Sequence, residues 1–169
     1  ASLDGGWDAT GVEQSASAVA RAREYYGVEL LNGIPDDRFD VITMWDVVEH
    51  LRDPVAVLRL LHARLAQNGV LLMETGNYEN WRRSLEGDRW GLYLLDHHFY
   101  FTPHSLQTAT LRAGFSALDV LDFDHSAPSL SRTLKRPLWG LRAWRAYRGA
   151  REEWPRHGDI NVMVAVAKA

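Results

Sequence analysis

Phe39 to Asp53, which reads FDVITMWDVVEHLRD, is the stretch around which the rest of the chain is organised. Its first half is mostly β-branched or apolar, which predicts a strand buried on both faces of a parallel sheet. Its second half follows that strand directly with Trp45, Asp46, Glu49 and His50. Because ligands of open α/β sheets bind just outside the carboxyl ends of the strands, we expect a functional site at this point.

Strands and helices alternate on both sides of this stretch and are joined by short connections. Serine, threonine or aspartate at the expected helix starts, and glycine at the expected ends, mark the helices. That order favours parallel strands with crossover helices on the sheet faces. The predicted order is a strand at 7–13, a helix capped by Ser15 or Ser17 and ending at Gly27, a strand at 28–31, the strand beginning at Phe39, a helix from Pro54 to Gly69, a strand at 70–74, a helix from Pro103 to Gly114, and strands at 115–123 and 160–167.

Two segments interrupt this alternation. Residues 76–101 are rich in aromatic side chains and histidine, without a clear period. A loop of this length in a compact domain is usually a lid or a binding loop, and aromatic walls suit a flat or apolar ligand. A small satellite core under the loop is the alternative. Residues 124–158 are rich in arginine, and we interpret them as a basic helical insertion between the last two strands.

The composition is that of a single soluble domain, which we take to span residues 1–169. Hydrophobic residues make up 46% of the chain and charged residues 24%. The net charge of −3 gives no basic field of the kind that nucleic-acid binders usually carry. The chain has no cysteine, which excludes disulfides, thiolate metal ligands and thiol catalysis. Since no signal peptide and no apolar run of about 18 residues is visible, we expect a cytoplasmic protein without a transmembrane segment.

The ionisable residues after the central strand allow more than one chemistry. Asp46, Glu49 and His50 are spaced i, i+3, i+4, so on a helical turn they share one face. There they could hold Mg²⁺ or another divalent cation, with His97 or His98 completing the coordination. His50 or His97 could instead be a general base, because imidazole titrates near neutral pH, or Glu49 and His50 could simply bridge nearby backbone. We take His50 and His97 as the catalytic candidates and assign no metal ligands.

Several motifs of the sequence resemble one known family. FDVIT and WDVVEHLRDP, followed by a helix, a turn and VLLMET, resemble the core of the class I S-adenosylmethionine-dependent methyltransferases, most closely the branch containing the ubiquinone-biosynthesis O-methyltransferases. GWDATGVE with SASAVARARE, then HHFYFTPHSL and GDINVMVAVAK, are similar to further segments of that family. The resemblance implies a doubly wound, Rossmann-like α/β sheet that is mostly parallel with an antiparallel last strand. The family's first strand and glycine-rich loop would precede residue 1, so we expect both to be missing from the chain.

The resemblance implies S-adenosylmethionine as the cofactor and assigns its adenosine part to the first two strand ends. A carboxylate at a strand end just before a helix can accept hydrogen bonds from both ribose hydroxyls, and Glu13 stands at such a position. Gln14 would flank the adenine, and Asn32 and Gly33 would lie beside it. A solvated charge at Glu13 and a plain turn at 32–34 are the alternatives.

The methionine part of the cofactor is assigned, by the same resemblance, to the end of the central strand. Trp45, Asp46 and Val47 would lie along it. Asp46 could accept a charge-assisted hydrogen bond from the ammonium group of the cofactor. Simple core packing is the alternative for Trp45.

We therefore expect S-adenosylmethionine-dependent methyl transfer to a small or lipid-linked acceptor. The first alternative is a non-catalytic, methyltransferase-like remnant that acts through subunit association, because an unpaired sheet edge invites a partner strand. A nucleotide-dependent enzyme of another α/β family is the second. We expect no nucleic-acid partner, and we leave open a homodimer and contact between the basic residues 132–156 and a membrane surface.

Overall fold

The structure is a computed structural model, and it describes residues 6–80, 83, 86–123 and 162–168. The chain divides into two compact units, Ala1–Arg38 and Phe39–Ala169. Each unit has a sheet of its own among the described residues. The assignment of residues 1–169 to a single domain stays a prediction.

The first unit is a strand, a helix and a strand. Strand β1 (Gly11–Val12) pairs in parallel with β2 (Leu30–Leu31), and helix α1 (Ala16–Tyr26) connects them. The helix has the predicted ends, because the Ser15 side chain accepts from the backbone N–H of Ala18 and Gly27 has a φ of 64°. Both strands are shorter than predicted.

The second unit holds a four-stranded mixed sheet in the order β3-β4-β6-β5. Strands β3 and β4 are parallel, whereas β6 is antiparallel to both β4 and β5, so the predicted antiparallel last strand is confirmed. The elements are β3 (Phe39–Trp45), a 3₁₀ turn (Val48–His50), α2 (Pro54–Arg64), β4 (Leu65–Gly76), a second 3₁₀ turn (Gly87–Arg89), α3 (Pro103–Arg112), β5 (Ala117–Phe123) and β6 (Val162–Lys168).

The core of this unit lies between one face of the sheet and helices α2 and α3. Leu58 of α2 and Leu106 of α3 are fully buried, as are Leu71 and Met73 of β4. Buried and partly exposed residues alternate along most of β4, as expected for a strand with one covered face. No helix within the described ranges is long and apolar enough to cross a membrane.

The prediction that β3 is buried on both faces is wrong. Met44 is its one buried residue, and Phe39, Val41 and Ile42 keep intermediate exposure. The reason is that β3 pairs with β4 alone among the described residues, so it is the edge strand of its sheet. The apolar sequence identified the strand correctly but not its neighbours.

The end of α2 and the start of β4 also differ from the prediction. The helix ends at Arg64, and Leu65, which is buried, already pairs with Phe39. The register then shifts before Val41 pairs with Val70, so Asn68 and Gly69 lie inside the strand instead of ending the helix. The spacing of apolar residues continues the helical pattern through Leu65. The pairing and burial of Leu65 in the sheet therefore outweigh that pattern.

The other helix and strand predictions hold apart from small shifts at their ends. Helix α3 starts with Thr102 as N-cap in a capping box with Ser105. The strand predicted at 115–123 is β5, and the strand predicted at 160–167 is described from residue 162 to 168. The predicted basic insertion at 124–158, and with it the membrane contact at 132–156, lies outside the described residues.

Gly69 provides a test of the irregular pairing between β3 and β4. A Cβ atom at this position would lie 3.0 Å from the carbonyl oxygens of both Ala66 and Phe39, and backbone atoms cannot move aside cheaply. We expect Gly69→Ala to lower the free energy of unfolding by about 1–3 kcal/mol, measured by urea denaturation. Gly91→Ala is the control, because a Cβ there meets open space. Equal midpoints for the two variants would contradict this packing.

Candidate functional site

The site begins where β3 ends, at Asp46. Its backbone N–H donates to the carbonyl oxygen of Glu74 at 3.1 Å, which continues the pairing of β3 with β4. Asp46 has a φ of 50°, a left-handed conformation that aspartate and asparagine tolerate better than most residues. The chain therefore turns sharply at Asp46 before the 3₁₀ turn begins.

Glu49 anchors that 3₁₀ turn to the sheet. The side chain of Glu49 is buried, with 2% exposure, and its Oε2 accepts a hydrogen bond of 2.9 Å from Oγ1 of Thr75 on β4. The carbonyl oxygen of Glu49 accepts from the backbone N–H groups of His98 and Phe99, at 2.9 and 3.2 Å. The preceding residue, Val48, is fully buried. The turn is thus fixed to β4 by a side chain and to the segment around His98 by its backbone.

The two predicted catalytic residues, His50 and His97, come together in the structure. Their rings are T-shaped with centroids 4.7 Å apart. Nδ1 of His50 lies 3.0 Å from the carbonyl oxygen of Asp96 and 3.5 Å from Oδ2 of the same residue. Because a carbonyl oxygen can only accept, Nδ1 of His50 carries the hydrogen in this contact, which leaves Nε2 as the basic nitrogen.

A group that could hold a metal ion forms from three of these side chains. One ligand atom each from Glu49, His50 and His97 lies within 4.8 Å of the others. Asp46 and His98 do not belong to this group, although the sequence spacing suggested them. The reason is local geometry, since the left-handed residue and the 3₁₀ turn replace the α-helical turn on which the i, i+3, i+4 argument rested.

The environment of Glu49 favours its neutral form. Removal from water raises the pKa of the Glu49 carboxyl, and the nearby carboxylate of Asp46 raises it further. Hydrogen bonds from its own backbone N–H and from Thr75, and the imidazole of His50, act in the opposite direction. The net result is a carboxyl whose pKa lies above its ordinary value beside two imidazoles.

The segment after β4 packs as an aromatic cluster, which we define as Tyr78, Trp90, Tyr93 and Tyr100. Their ring centroids lie between 5.2 and 6.5 Å apart, and Trp90 is buried. The ring of His97 lies 6.0 Å from that of Tyr100. These rings pack against one another, as in the satellite core considered above, and they extend to one of the two histidines. A role as acceptor pocket or lid stays a prediction.

In the first unit, Glu13 stands at the carboxyl end of β1 as predicted. Its backbone N–H donates to Leu31, and its Oε1 accepts from the backbone N–H of Ser15 at 2.7 Å. A surface depression of about 490 Å³ lies beside α1. Two predicted cofactor residues, Gln14 and Asn32, line it together with Ala16, Val19, Ala20, Arg23 and Glu24.

The structure also informs the predicted methionine contacts. Trp45 is 47% exposed and Val47 is 39% exposed. Core packing, the alternative for Trp45, is therefore wrong, because Trp45 lies on the face of the edge strand β3 opposite to that of the buried Met44. Two site residues were not identified from the sequence, Thr75 and Asp96. A threonine at the end of VLLMET and an aspartate directly before two histidines were the available signals.

Comparisons with known proteins support the expected family. A family model described as a methyltransferase domain matches residues 4–120. The ubiquinone biosynthesis O-methyltransferase of Psychrobacter arcticus is 28% identical over 163 residues, covering 92% of this chain and 56% of the relative. The chain thus spans about half the length of the curated relatives it matches first.

Two further matches are a tRNA-modifying enzyme and a solved crystal structure. The tRNA U34 carboxymethyltransferase of Sulfurimonas denitrificans is 33% identical over 107 residues, covering 59% of this chain and 33% of that protein. A crystal structure of a methyltransferase from Archaeoglobus fulgidus that depends on S-adenosylmethionine aligns with a TM-score of 0.65 at 14% identity, covering 99% of this chain and 79% of the other. At that identity the likeness shows the fold alone.

The raised pKa of Glu49 predicts a pH-dependent cost in stability. Since the folded state binds this proton more tightly than the unfolded chain, the free energy of unfolding falls as pH rises from about 4 through the folded-state pKa. Glu49→Gln removes the ionisation, so its stability relative to the native protein should rise over that range. Urea unfolding from pH 4 to pH 8, in the presence of a chelator, measures the difference.

Thr75→Val is the matched variant for this measurement, because it removes the hydroxyl that stabilises the carboxylate of Glu49 while keeping the side-chain shape. Its stability should fall more steeply with pH than that of the native protein. Identical pH profiles for the native protein and Glu49→Gln would show that the carboxyl is not desolvated.

Proposed function

The chain belongs to the class I S-adenosylmethionine-dependent methyltransferases, and on that premise we propose that it transfers a methyl group to a hydroxyl oxygen of a small or lipid-linked acceptor. The family match supports S-adenosylmethionine as the cofactor. The choice of oxygen is supported by relatives named ubiquinone biosynthesis O-methyltransferases. Because those relatives are longer than this chain, the activity and the acceptor are proposals.

The observation that carries the proposal is the pairing of His50 with His97 directly after the carboxyl end of β3. Nδ1 of His50 is occupied by the carbonyl oxygen of Asp96, so its Nε2 is the nitrogen that can take a proton. A hydroxyl becomes a better nucleophile for a methyl group as a base removes its proton. The ring centroid of His97 lies 4.7 Å from that of His50. The ring of His97 therefore restricts the positions from which an acceptor hydroxyl can reach Nε2 of His50.

The residues proposed to hold the cofactor fit its chemistry within each unit. In the first unit, Glu13 has one oxygen on Ser15, and we assign the other oxygen to the ribose hydroxyls. The adenine is assigned to Gln14, Asn32 and Gly33, and the first two of these line the depression beside α1.

In the second unit, Asp46 offers a carboxylate for the ammonium group, and Trp45 and Val47 offer exposed apolar surface beside it. When bound, the cofactor supplies an electrophilic methyl group on sulfur. The protein then has to align the acceptor oxygen with that methyl group and hold the departing proton.

A second role for the same cluster is divalent metal binding. It is favoured by the closeness of the ligand atoms of Glu49, His50 and His97, which offer one carboxylate and two imidazoles. Imidazole ligands suit zinc, iron or nickel ions better than Mg²⁺. A cation at this position would hold the acceptor oxygen and lower its pKa, which makes a separate base unnecessary.

Two other readings are less well supported. The tRNA modification enzyme matches only part of this chain, and the net charge of −3 does not favour a nucleic-acid acceptor. The non-catalytic remnant would conserve the fold without binding the cofactor. Cofactor binding therefore separates it from the enzyme.

Isothermal titration with S-adenosylhomocysteine tests the cofactor assignment. We expect binding that weakens about 10–100-fold in Glu13→Gln and in Asp46→Asn, because each loses a charge-assisted hydrogen bond. Asparagine tolerates the left-handed backbone at 46, so the second variant keeps the fold. Asp119→Asn, an exposed carboxylate on β5, is the control. Absence of binding by this chain would contradict the cofactor assignment.

Methyl transfer to catechol, used as a probe acceptor, separates the two roles of the histidine cluster. A general base predicts that His50→Ala lowers kcat about 10²–10⁴-fold, that activity falls as the base is protonated, and that a chelator has no effect. A metal site predicts loss of activity with the chelator and recovery with Zn²⁺ or Ni²⁺. His104→Ala, on the exposed side of α3, should leave the rate unchanged.

A further inference from the structure

An arginine beside the aromatic cluster packs on a tyrosine ring instead of pairing with a carboxylate. The guanidinium carbon of Arg83 lies 4.2 Å from the ring centroid of Tyr78, within the range of a cation–π contact. Among the residues that the structure describes, Arg83 forms no ion pair, although Glu79 and Asp88 are close in sequence. The ring holds the guanidinium in place and leaves its N–H groups for another partner.

The nitrogen atoms of Arg83 retain their capacity to donate hydrogen bonds. A guanidinium carries five N–H donors in a planar fork. Within the described part of the chain, Nε of Arg83 is buried without a hydrogen-bond partner, which costs free energy. The residue as a whole keeps intermediate exposure, so the two terminal nitrogens are the atoms that a ligand can reach. The fork therefore lacks the acceptor that its chemistry favours.

Tyr78 supplies a second donor next to this fork. The hydroxyl of Tyr93 donates to the hydroxyl oxygen of Tyr78 at 3.5 Å. A hydroxyl that accepts one hydrogen bond still has its own hydrogen to donate. The two oxygens of a carboxylate can therefore accept from the guanidinium of Arg83 and from the hydroxyl of Tyr78 at the same time.

The surface beside these donors is aromatic. Tyr93 is 37% exposed, and its ring packs on that of the buried Trp90 with centroids 5.2 Å apart. A flat apolar molecule can stack on such a ring while a polar group at its edge is held by hydrogen bonds. Because the chain carries a net charge of −3, its overall field does not attract anions, and only local donors would retain one.

We propose that Arg83 and Tyr78 bind the carboxylate of a small molecule whose flat apolar body lies on Tyr93. A planar carboxylate matches the fork of a single arginine. Ring contacts connect this site to the histidine pair, from Tyr78 to Tyr100 at 5.8 Å and from Tyr100 to His97 at 6.0 Å. The binding does not depend on methyl transfer. Its consequence, that the carboxylate belongs to the methyl acceptor, rests on the proposed function.

Titration with benzoate tests the site, and benzamide is the neutral molecule of the same shape. Both are added without cofactor or acceptor, and NMR follows the indole N–H of Trp90, which every variant retains. We expect benzoate to bind with a Kd of about 1 mM and benzamide to cause no comparable shift. In the native protein, the Nε–H resonance of Arg83 should shift together with that of Trp90.

Arg83→Gln should weaken benzoate binding about 10–100-fold, because a charge-assisted fork is lost. Arg89→Gln, which changes an exposed arginine of the second 3₁₀ turn, is the matched control and should bind as the native protein does. Arg83→Lys keeps the charge but not the fork, so its affinity should lie between those of the native protein and Arg83→Gln.

Tyr78→Phe is the variant that keeps the packing, because the ring and its cation–π contact remain and only the hydroxyl is lost. Benzoate binding should weaken about 2–10-fold, as expected for one neutral hydrogen bond. Tyr25→Phe, at an exposed tyrosine of α1, should leave the affinity unchanged.

Three results would overturn the proposal. They are the absence of any shift of Trp90 with benzoate, equal shifts with benzoate and benzamide, and equal losses of affinity in Arg83→Gln and Arg89→Gln. None of these measurements involves the cofactor or methyl transfer, so such a result would leave the proposed function standing. Failure to bind S-adenosylhomocysteine would contradict the proposed function and leave the carboxylate site unaffected.

Discussion

The burial of one carboxyl group, that of Glu49, is the constraint on which the candidate site depends. Moving a carboxylate out of water costs several kcal/mol, and the hydrogen bond from Thr75 returns only about 1–3 kcal/mol. The raised pKa of Glu49 is the direct sign of this imbalance. In exchange, the 3₁₀ turn is fixed to β4, and its next residue, His50, points to Asp96. The buried carboxyl of Glu49 thus lowers the stability of the fold while it fixes the position of the His50 imidazole.

The segment that carries His97 is held from two sides. At its start, Gly76 lets the chain approach closely, because a Cβ there would lie 2.5 Å from a methyl group of Leu92 and 3.8 Å from the ring of Trp90. At its end, the backbone N–H of Tyr78 donates to Phe101 at 2.8 Å, which joins the two ends of the segment. Between these points the aromatic cluster fills the space. His97 is consequently held in place by packed side chains, although its segment has little regular secondary structure.

Local signals in the sequence predicted the parts of the fold that depend on local physics. Ser15, Asp53 and Thr102 cap the helices as expected, since a cap needs only a side chain and the next few N–H groups. The exposure of β3 and the early end of α2 could not be predicted, because both depend on which strand pairs with Phe39. In the site, the tendency of ligands to bind at the carboxyl ends of parallel strands identified His50 and its neighbours as candidates.

The partners that the sequence did not identify are those that act through non-local hydrogen bonds. Thr75 and Asp96 contact Glu49 and His50 across a large separation in the chain, and neither residue type is unusual where it stands. One structural consequence could not be anticipated from any motif. The backbone of the Leu94–His97 turn supplies both the acceptor that fixes the tautomer of His50 and the hydrogen bond that positions His97. The tautomer of His50 and the position of His97 therefore depend on one backbone turn, and neither can be rearranged without moving the other.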